Sequence, residues 1–257
     1  LVGSEMCIRD SIVTLASVEP VLAAAAARLP ECCLCPCAAG AEGGISPESI
    51  PLIQRQKATV LLLGPGLGGT AQSAARAAET RVLVQRLLPG FAGSAVLDAD
   101  GLNAAAQLLA EGKALSHPTG ELILTPHPGE MARLMQSSTS IVQADRAACA
   151  LHFCRTFSGT LVLKGAGTIV QQGTICVKNP TGNPGMSRGG SGDVLAGMIA
   201  SFVAQGISPY QAACAGVYLH GLAGDLAAEQ YSEQAMLPQD LLHCLPQVFR
   251  RMEQSLS

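Results

Sequence analysis

Short apolar runs alternate with longer Ala- and Leu-rich stretches from Ser11 to about Val177. The runs Ile12–Leu15, Cys32–Cys37, Thr59–Leu63, Ala95–Leu97, Leu122–Leu124 and Leu161–Leu163 predict β-strands. Most are continuous rather than alternating, the pattern of strands covered on both faces in a parallel sheet. Thr168–Gln171 and Thr174–Val177 predict two more, and Gln172-Gly173 between them signals a tight hairpin. Helical stretches between the strands would complete βαβ units in an open, doubly wound sheet. After Lys178 the pattern changes to a glycine-rich loop and then to helices only. Val194, Leu195, Met198, Ile199, Phe202 and Val203 form a helical stripe that Gly206 and Pro209 stop. The next stretch is rich in Ala and Gly, and its small residues near Ala212–Ala228 could pack within a subunit or between subunits of a homo-oligomer. No repeat or long linker divides the chain, so residues 11–257 are expected to form a single α/β domain. Leu1–Asp10 fits no periodicity, with its first methionine at Met6, and reads as a non-native scar.

Composition narrows the function classes. The 257 residues are 48% apolar and 14% charged, with a net charge of −3. Lys and Arg are scattered singly, so no basic stripe is available to grip a nucleic acid. The Ala23–Ala27 run falls far short of the ~20 apolar residues of a membrane span. Of the ten cysteines, Cys32, Cys33, Cys35 and Cys37 crowd together, and a strand would point Cys33, Cys35 and Cys37 to one face. A zinc site needs a second ligand pair, whereas Cys149, Cys154, Cys176, Cys214 and Cys244 stand alone. They read as small apolar residues of a protein kept in a reducing cytosol.

Candidate chemistry sits in the loops. The segment from Asn183 to Leu195 carries Gly189, Gly190 and Gly192 ahead of a helix, so the backbone is free to take left-handed angles and approach a ligand. Open N–H groups at that helix start make an anion site suited to phosphate. Asp193, in the first helical turn, is either a simple helix N-terminal acid or a general base serving a hydroxyl that attacks the phosphoryl group. The helix dipole should lower its pKa and a bound polyphosphate should raise it. Gly64, Gly66 and Gly69 satisfy G-x-G-x-x-G, but Pro65 and the distance to Asp98 make this a weak dinucleotide fingerprint. Asp98 ends a strand, and Asp100 reads as a helix cap or a catalytic acid. His127 is held rigidly between Pro126 and Pro128. Lys164 could neutralise phosphate or simply be exposed. Because all four loops follow predicted strands, Gly66, Asp98, His127 and Lys164 are expected to line one crevice.

Together the motifs GPGLG, DADGLN, LTPHPGE, LKGAGT, NPGM…GGSGDVLAG and GVYLHGLAGD resemble, in order, those of the ADP/ATP-dependent NAD(P)H-hydrate dehydratases of the ribokinase-like superfamily. The resemblance runs from about Ser11 to the last helix. It implies a largely parallel sheet with helices on both faces, and nucleotide-dependent dehydration of the S-epimer of NAD(P)HX to NAD(P)H. It further implies ADP or ATP as co-substrate, magnesium accompanying the nucleotide, and phosphorylation of the hydrate hydroxyl before its loss as phosphate. By the same resemblance Gly66, His127 and Asp193 contact the hydrate. Lys164, Gly165, Ala166, Gly167 and Thr168 bind the AMP part of the nucleotide, and Gly192 makes a further nucleotide contact. The family's first strand and helix, with an alanine of the hydrate pocket, and the N-terminal epimerase domain of many members are not matched, so the chain is expected to be truncated at its start. A ribokinase-like kinase of a small alcohol would share chiefly the GGSGD loop. A non-catalytic nucleotide-binding module is the reading from a different class.

Overall fold

The computed structural model describes residues 12–256, apart from 70, 116 and 118. Leu1–Ser11, and with them the suspected scar, lie outside the described residues. The eight strands expected from the apolar runs are β1 Thr14–Val18, β2 Cys33–Cys37, β3 Val60–Leu63, β4 Ser94–Leu97, β5 Leu122–Leu124, β6 Thr160–Leu163, β7 Ile169–Gln172 and β8 Ile175–Lys178. Strands β1 and β2 pair in parallel as a separate ribbon. The other six form one sheet in chain order, parallel from β3 to β6 and antiparallel through β7 and β8. Gly173, at φ +53, makes the hairpin between the last two.

The helices that matter for the site are α3 Ala74–Leu87, α4 Ala99–Ala110, α5 Pro128–Leu134, α7 Arg146–Phe153, α8 Ser191–Ala204, α9 Pro209–Tyr231 and α10 Pro238–Leu256. Three short helices complete the set: α1 Glu19–Ala26, α2 Ile50–Gln54 and α6 Thr139–Ala144. Parity along the strands divides the cover. Leu63, Leu97, Leu124 and Leu163 point to one face, where they pack with residues of α3, α4, α5 and α7. Val96, Ile123, Val162 and Val170 point to the other, against Leu195, Ile199, Ala213 and Val217 of α8 and α9. Both faces are thus dry, which is why β4, β5 and β6 are apolar at nearly every position.

One expectation is corrected here. The six-stranded sheet is not doubly wound: its order never reverses, so every helix between its parallel strands lies on one face, and the second face is covered by helices that follow the last strand. The hairpin strand β8 is the outer strand of the sheet, and its Ile175 is 59% exposed. In β2 the predicted face is only partly buried: Cys35 and Cys37 are covered but Cys33 is exposed. The small-residue helix packs inside the subunit, since a methyl on Gly216 would stand 2.7 Å from Ile199 Cγ1 of α8. No helix among the described residues is long and apolar enough to cross a membrane.

Candidate active site

Parallel pairing places the C-terminal ends of β3 to β6 on one edge, and a cluster of polar side chains gathers there. Asp98 directly follows β4 and occupies the N-cap position of α4, yet its side chain caps nothing. Its Oδ1 instead accepts from Lys164 Nζ at 2.6 Å and from Thr125 Oγ1 at 2.8 Å. Asp98 is only 1% exposed, so the ammonium of Lys164 is what makes a carboxylate tenable there. Lys164 is therefore no exposed strand-end lysine: its side chain is 18% exposed and its head lies 4.0 Å from a second buried carboxylate, Glu130. Asp100 is not the cap of α4 either. It sits inside the first turn, and its Oδ2 accepts from the N–H of Gly68 at 2.9 Å, tying the glycine turn to the helix.

His127 takes the N-cap position of α5, with Pro128 beginning the helix. Its Nδ1 accepts from Gly129 N–H at 3.0 Å, and Glu130 Oε2 accepts from His127 N–H at 2.8 Å, a reciprocal capping box. An accepting Nδ1 leaves the proton on Nε2, 3.4 Å from Glu130 Oε1. Burial first, then the positive charge of Lys164, lowers the His127 pKa, so this contact joins a neutral imidazole to the carboxylate rather than two full charges. Burial raises the pKa of Glu130, opposed by Lys164.

The glycine-rich loop meets this cluster from the other side. Among its three glycines only Gly190, at φ +97, is left-handed; it is the N-cap of α8 and leaves the first-turn N–H groups without a side-chain cap. Gly192 is already helical, and its role is close approach: a Cβ there would stand 3.0 Å from Lys164 Nζ and 3.8 Å from Asp98 Oδ2. Asp193 follows, and no hydrogen bond or ion pair engages its carboxylate among the described residues. Its pKa is raised, first by burial and next by repulsion from Asp98, with Lys164 opposing. The net shift is upward, against the lowering expected from the helix dipole alone. From beneath, His220 of α9 donates through Nε2 to Ser191 O at 3.0 Å; full burial holds its pKa down at about 4 and the ring neutral. Asp225, from the same helix, accepts from Gly182 N–H at 3.0 Å and Asn183 Nδ2 at 3.1 Å and fixes the NPGM turn.

The remaining positions are more dispersed. Gly64 is packed so tightly on the backbone of Asp98 that a side chain there would overlap it. Gly66, at φ +73, faces open space instead, beside a cavity of about 310 Å³ also lined by Glu42, Gly68, Ser73 and Arg76. Helix α3 starts only at Ala74, so the turn does not open a helix and the dinucleotide-fingerprint reading loses its structural basis. The Lys164–Thr168 segment is split. The Lys164 head turns inward to Asp98, while Gly165, Ala166, Gly167 and Thr168 form an outer turn between β6 and β7. Glu130 carried a faint sequence signal, a glutamate three residues after a cap position occupied by an unusual capping residue. The engagement of Thr125 carried none.

Among the described residues no group of three or more His, Cys, Asp or Glu side chains is arranged to hold a metal ion. Asp98 and Glu130 are already committed to partners in the protein. The donor set therefore suits a magnesium ion that arrives on nucleotide phosphates with its own waters, and not a site built by the protein alone.

Residues 12–247 match the family model described as NAD(P)H-hydrate dehydratase. The bifunctional NAD(P)H-hydrate repair enzyme Nnr of Moorella thermoacetica is 44% identical over 83% of the chain, which spans 39% of that protein. The ADP-dependent (S)-NAD(P)H-hydrate dehydratase of Neisseria meningitidis is 41% identical over 69% of the chain and 58% of its own length. A crystal structure of ADP/ATP-dependent NAD(P)H-hydrate dehydratase from Bacillus subtilis, co-crystallised with ATP/Mg2+, superposes with a TM-score of 0.80 over 97% of the chain and 83% of its own, at 27% identity.

Proposed function

The chain belongs to the NAD(P)H-hydrate dehydratase family, and from that premise we propose that it dehydrates the S-epimer of NADHX and NADPHX to NADH and NADPH at the expense of ADP or ATP. The observation that carries this reading is one constellation: the buried Lys164–Asp98 pair packed beside Gly192, with the unpartnered carboxylate of Asp193 next to it.

In this reading the open N–H groups at the start of α8 and the ammonium of Lys164 hold the terminal phosphoryl group of the nucleotide. Asp193 takes the proton from the hydrate hydroxyl as its oxygen attacks phosphorus. ADP then leaves as AMP, or ATP as ADP, and the hydrate carries a phosphate ester. Its C–O bond breaks with release of inorganic phosphate, a proton leaves the neighbouring carbon, and the ring double bond returns. Gly66 and the neutral imidazole of His127 line the hydrate side, and the turn Gly165–Thr168, with Gly192, the nucleotide side. Magnesium, carried by the nucleotide, supplies charge neutralisation of the phosphates; no side chain of this chain is assigned to it. Unpaired cysteines throughout the fold support a reducing, cytoplasmic setting.

The test is turnover of S-NADHX with ADP and ATP side by side. Recovery of reduced-nicotinamide absorbance together with stoichiometric inorganic phosphate is the expected result. A stable phosphorylated product would mark a kinase, and nucleotide binding without turnover would mark a binding module.

A further inference from the structure

Resting on the dehydratase reading, we propose that Arg146 is a positioning residue for the nucleotide: its guanidinium holds the carbonyl edge of the turn Lys164–Gly167, leaving the N–H edge open to the ligand.

Arg146 stands in the first turn of α7, eighteen positions from Lys164, and belongs to none of the glycine-rich motifs. Its Nη1 donates to Lys164 O at 3.4 Å, and its Nη2 donates to Gly167 O at 3.1 Å and to Ala166 O. Contacts from one planar fork to three carbonyls of the turn, with the Gly165 carbonyl accepting from Thr168 Oγ1, fix the orientation of the peptide groups, which a single-point cation could not do. The N–H groups of Gly165, Ala166 and Gly167 make no hydrogen bond among the described residues. The ends of the turn are pinned independently, Lys164 N–H to Pro126 O at 2.8 Å and Asn179 N–H to Thr168 O at 2.8 Å. The turn thus has satisfied carbonyls and free donors, the polarity an anionic ligand requires.

Two further observations point the same way. Gly165, at φ +139, must be glycine on the guanidinium side as well, since a Cβ there would overlap Nη1 of Arg146. A cation in the first turn of a helix opposes the helix dipole, and no carboxylate pairs with Arg146 among the described residues. Local stability does not account for an arginine at this place, whereas the carbonyl grip does. Its uncompensated charge also favours an approaching polyphosphate.

The experiment compares full-length wild type, Arg146→Met and Arg146→Lys by calorimetric titration with ADP and with ATP, alongside steady-state turnover of S-NADHX. In Arg146→Met the nucleotide Kd and KM should rise by roughly 10–100-fold, the scale of lost charge-assisted hydrogen bonds. At saturating nucleotide kcat should stay within about threefold, and the hydrate KM should not move. Arg146→Lys keeps the charge and the stem but not the fork, so it should recover only a minor part of the affinity. It also carries the test should the methionine variant fail to fold. Wild-type affinity in Arg146→Lys would overturn the proposal, as would a fall in kcat with nucleotide affinity within about twofold of wild type. Binding of ADP that is lost in Arg146→Met, in a protein that never turns over hydrate, would sink the dehydratase reading and leave Arg146 in its role. A wild type that binds no adenine nucleotide would overturn both.

Discussion

At the residue scale the chemistry turns on which carboxylates are already occupied. Asp98 spends its charge on Lys164, whereas among the described residues the Asp193 carboxylate makes no hydrogen bond or ion pair. If Asp193 is the base, Asp193→Asn should cut kcat by about 10²–10⁴-fold while calorimetry shows nucleotide affinity within a few-fold; near-normal turnover would remove it from that role. Its raised pKa places the acid limb of the rate profile above the ordinary aspartate range, because activity is lost as falling pH protonates the base. Repulsion from Asp98 is part of that rise, so Asp98→Asn should move the limb to lower pH in a kcat/KM profile. His127 caps α5, and on the proposed reading it also contacts the hydrate, two roles that substitution can separate. His127→Asn keeps a capping side chain and should hold stability within about 0.5 kcal/mol, whereas His127→Ala should cost about 1 kcal/mol in urea unfolding; both should raise the hydrate KM.

At the element scale the approach of α8 to the strand ends decides the geometry. A glycine inside a helix ordinarily costs up to about 1 kcal/mol relative to alanine, so Gly192→Ala should leave stability unchanged or slightly higher. The added methyl would nevertheless crowd the Lys164 ammonium at 3.0 Å, and turnover should fall sharply in the same folded protein. Equal losses of melting temperature and activity would contradict this. Beneath α8, His220 is neutral because it is buried, with a pKa near 4 against an ordinary 6.5. Its folded pKa is depressed, so the unfolded chain binds the proton first and stability is lost as pH falls from 6.5 toward 4. The full effect is roughly 3 kcal/mol. Urea midpoints at about pH 7 and about pH 5 should differ more in wild type than in His220→Gln. The sequence motif around His220 marked this helix as part of the family pattern, but not the direction in which the ring points.

For the whole molecule, the proposed function has a nucleotide bridge the α8 start and the β6–β7 turn, a site that exists only in the folded chain. Saturation with ADP at about a hundred times its Kd should therefore raise unfolding free energy by about 3 kcal/mol, seen as a higher melting temperature, and Arg146→Met should shrink that increment at equal ADP. An unchanged melting temperature at saturating nucleotide would mean that no such bridge forms. The eight strands were legible because each is a short apolar run with polar or glycine ends, a local property that burial on two faces imposes directly. The glycine turns, the hairpin and the helix stop after Ala204 were legible for the same reason, as backbone angles restrict residue type at single positions. Strand order, the face each helix covers, the exposure of β8, the Asp98–Lys164 pair across sixty-six positions and the grip of Arg146 were decided by tertiary structure alone. Each is a contact between segments whose composition is satisfied by more than one partner, and only packing the segments together selects which one they meet.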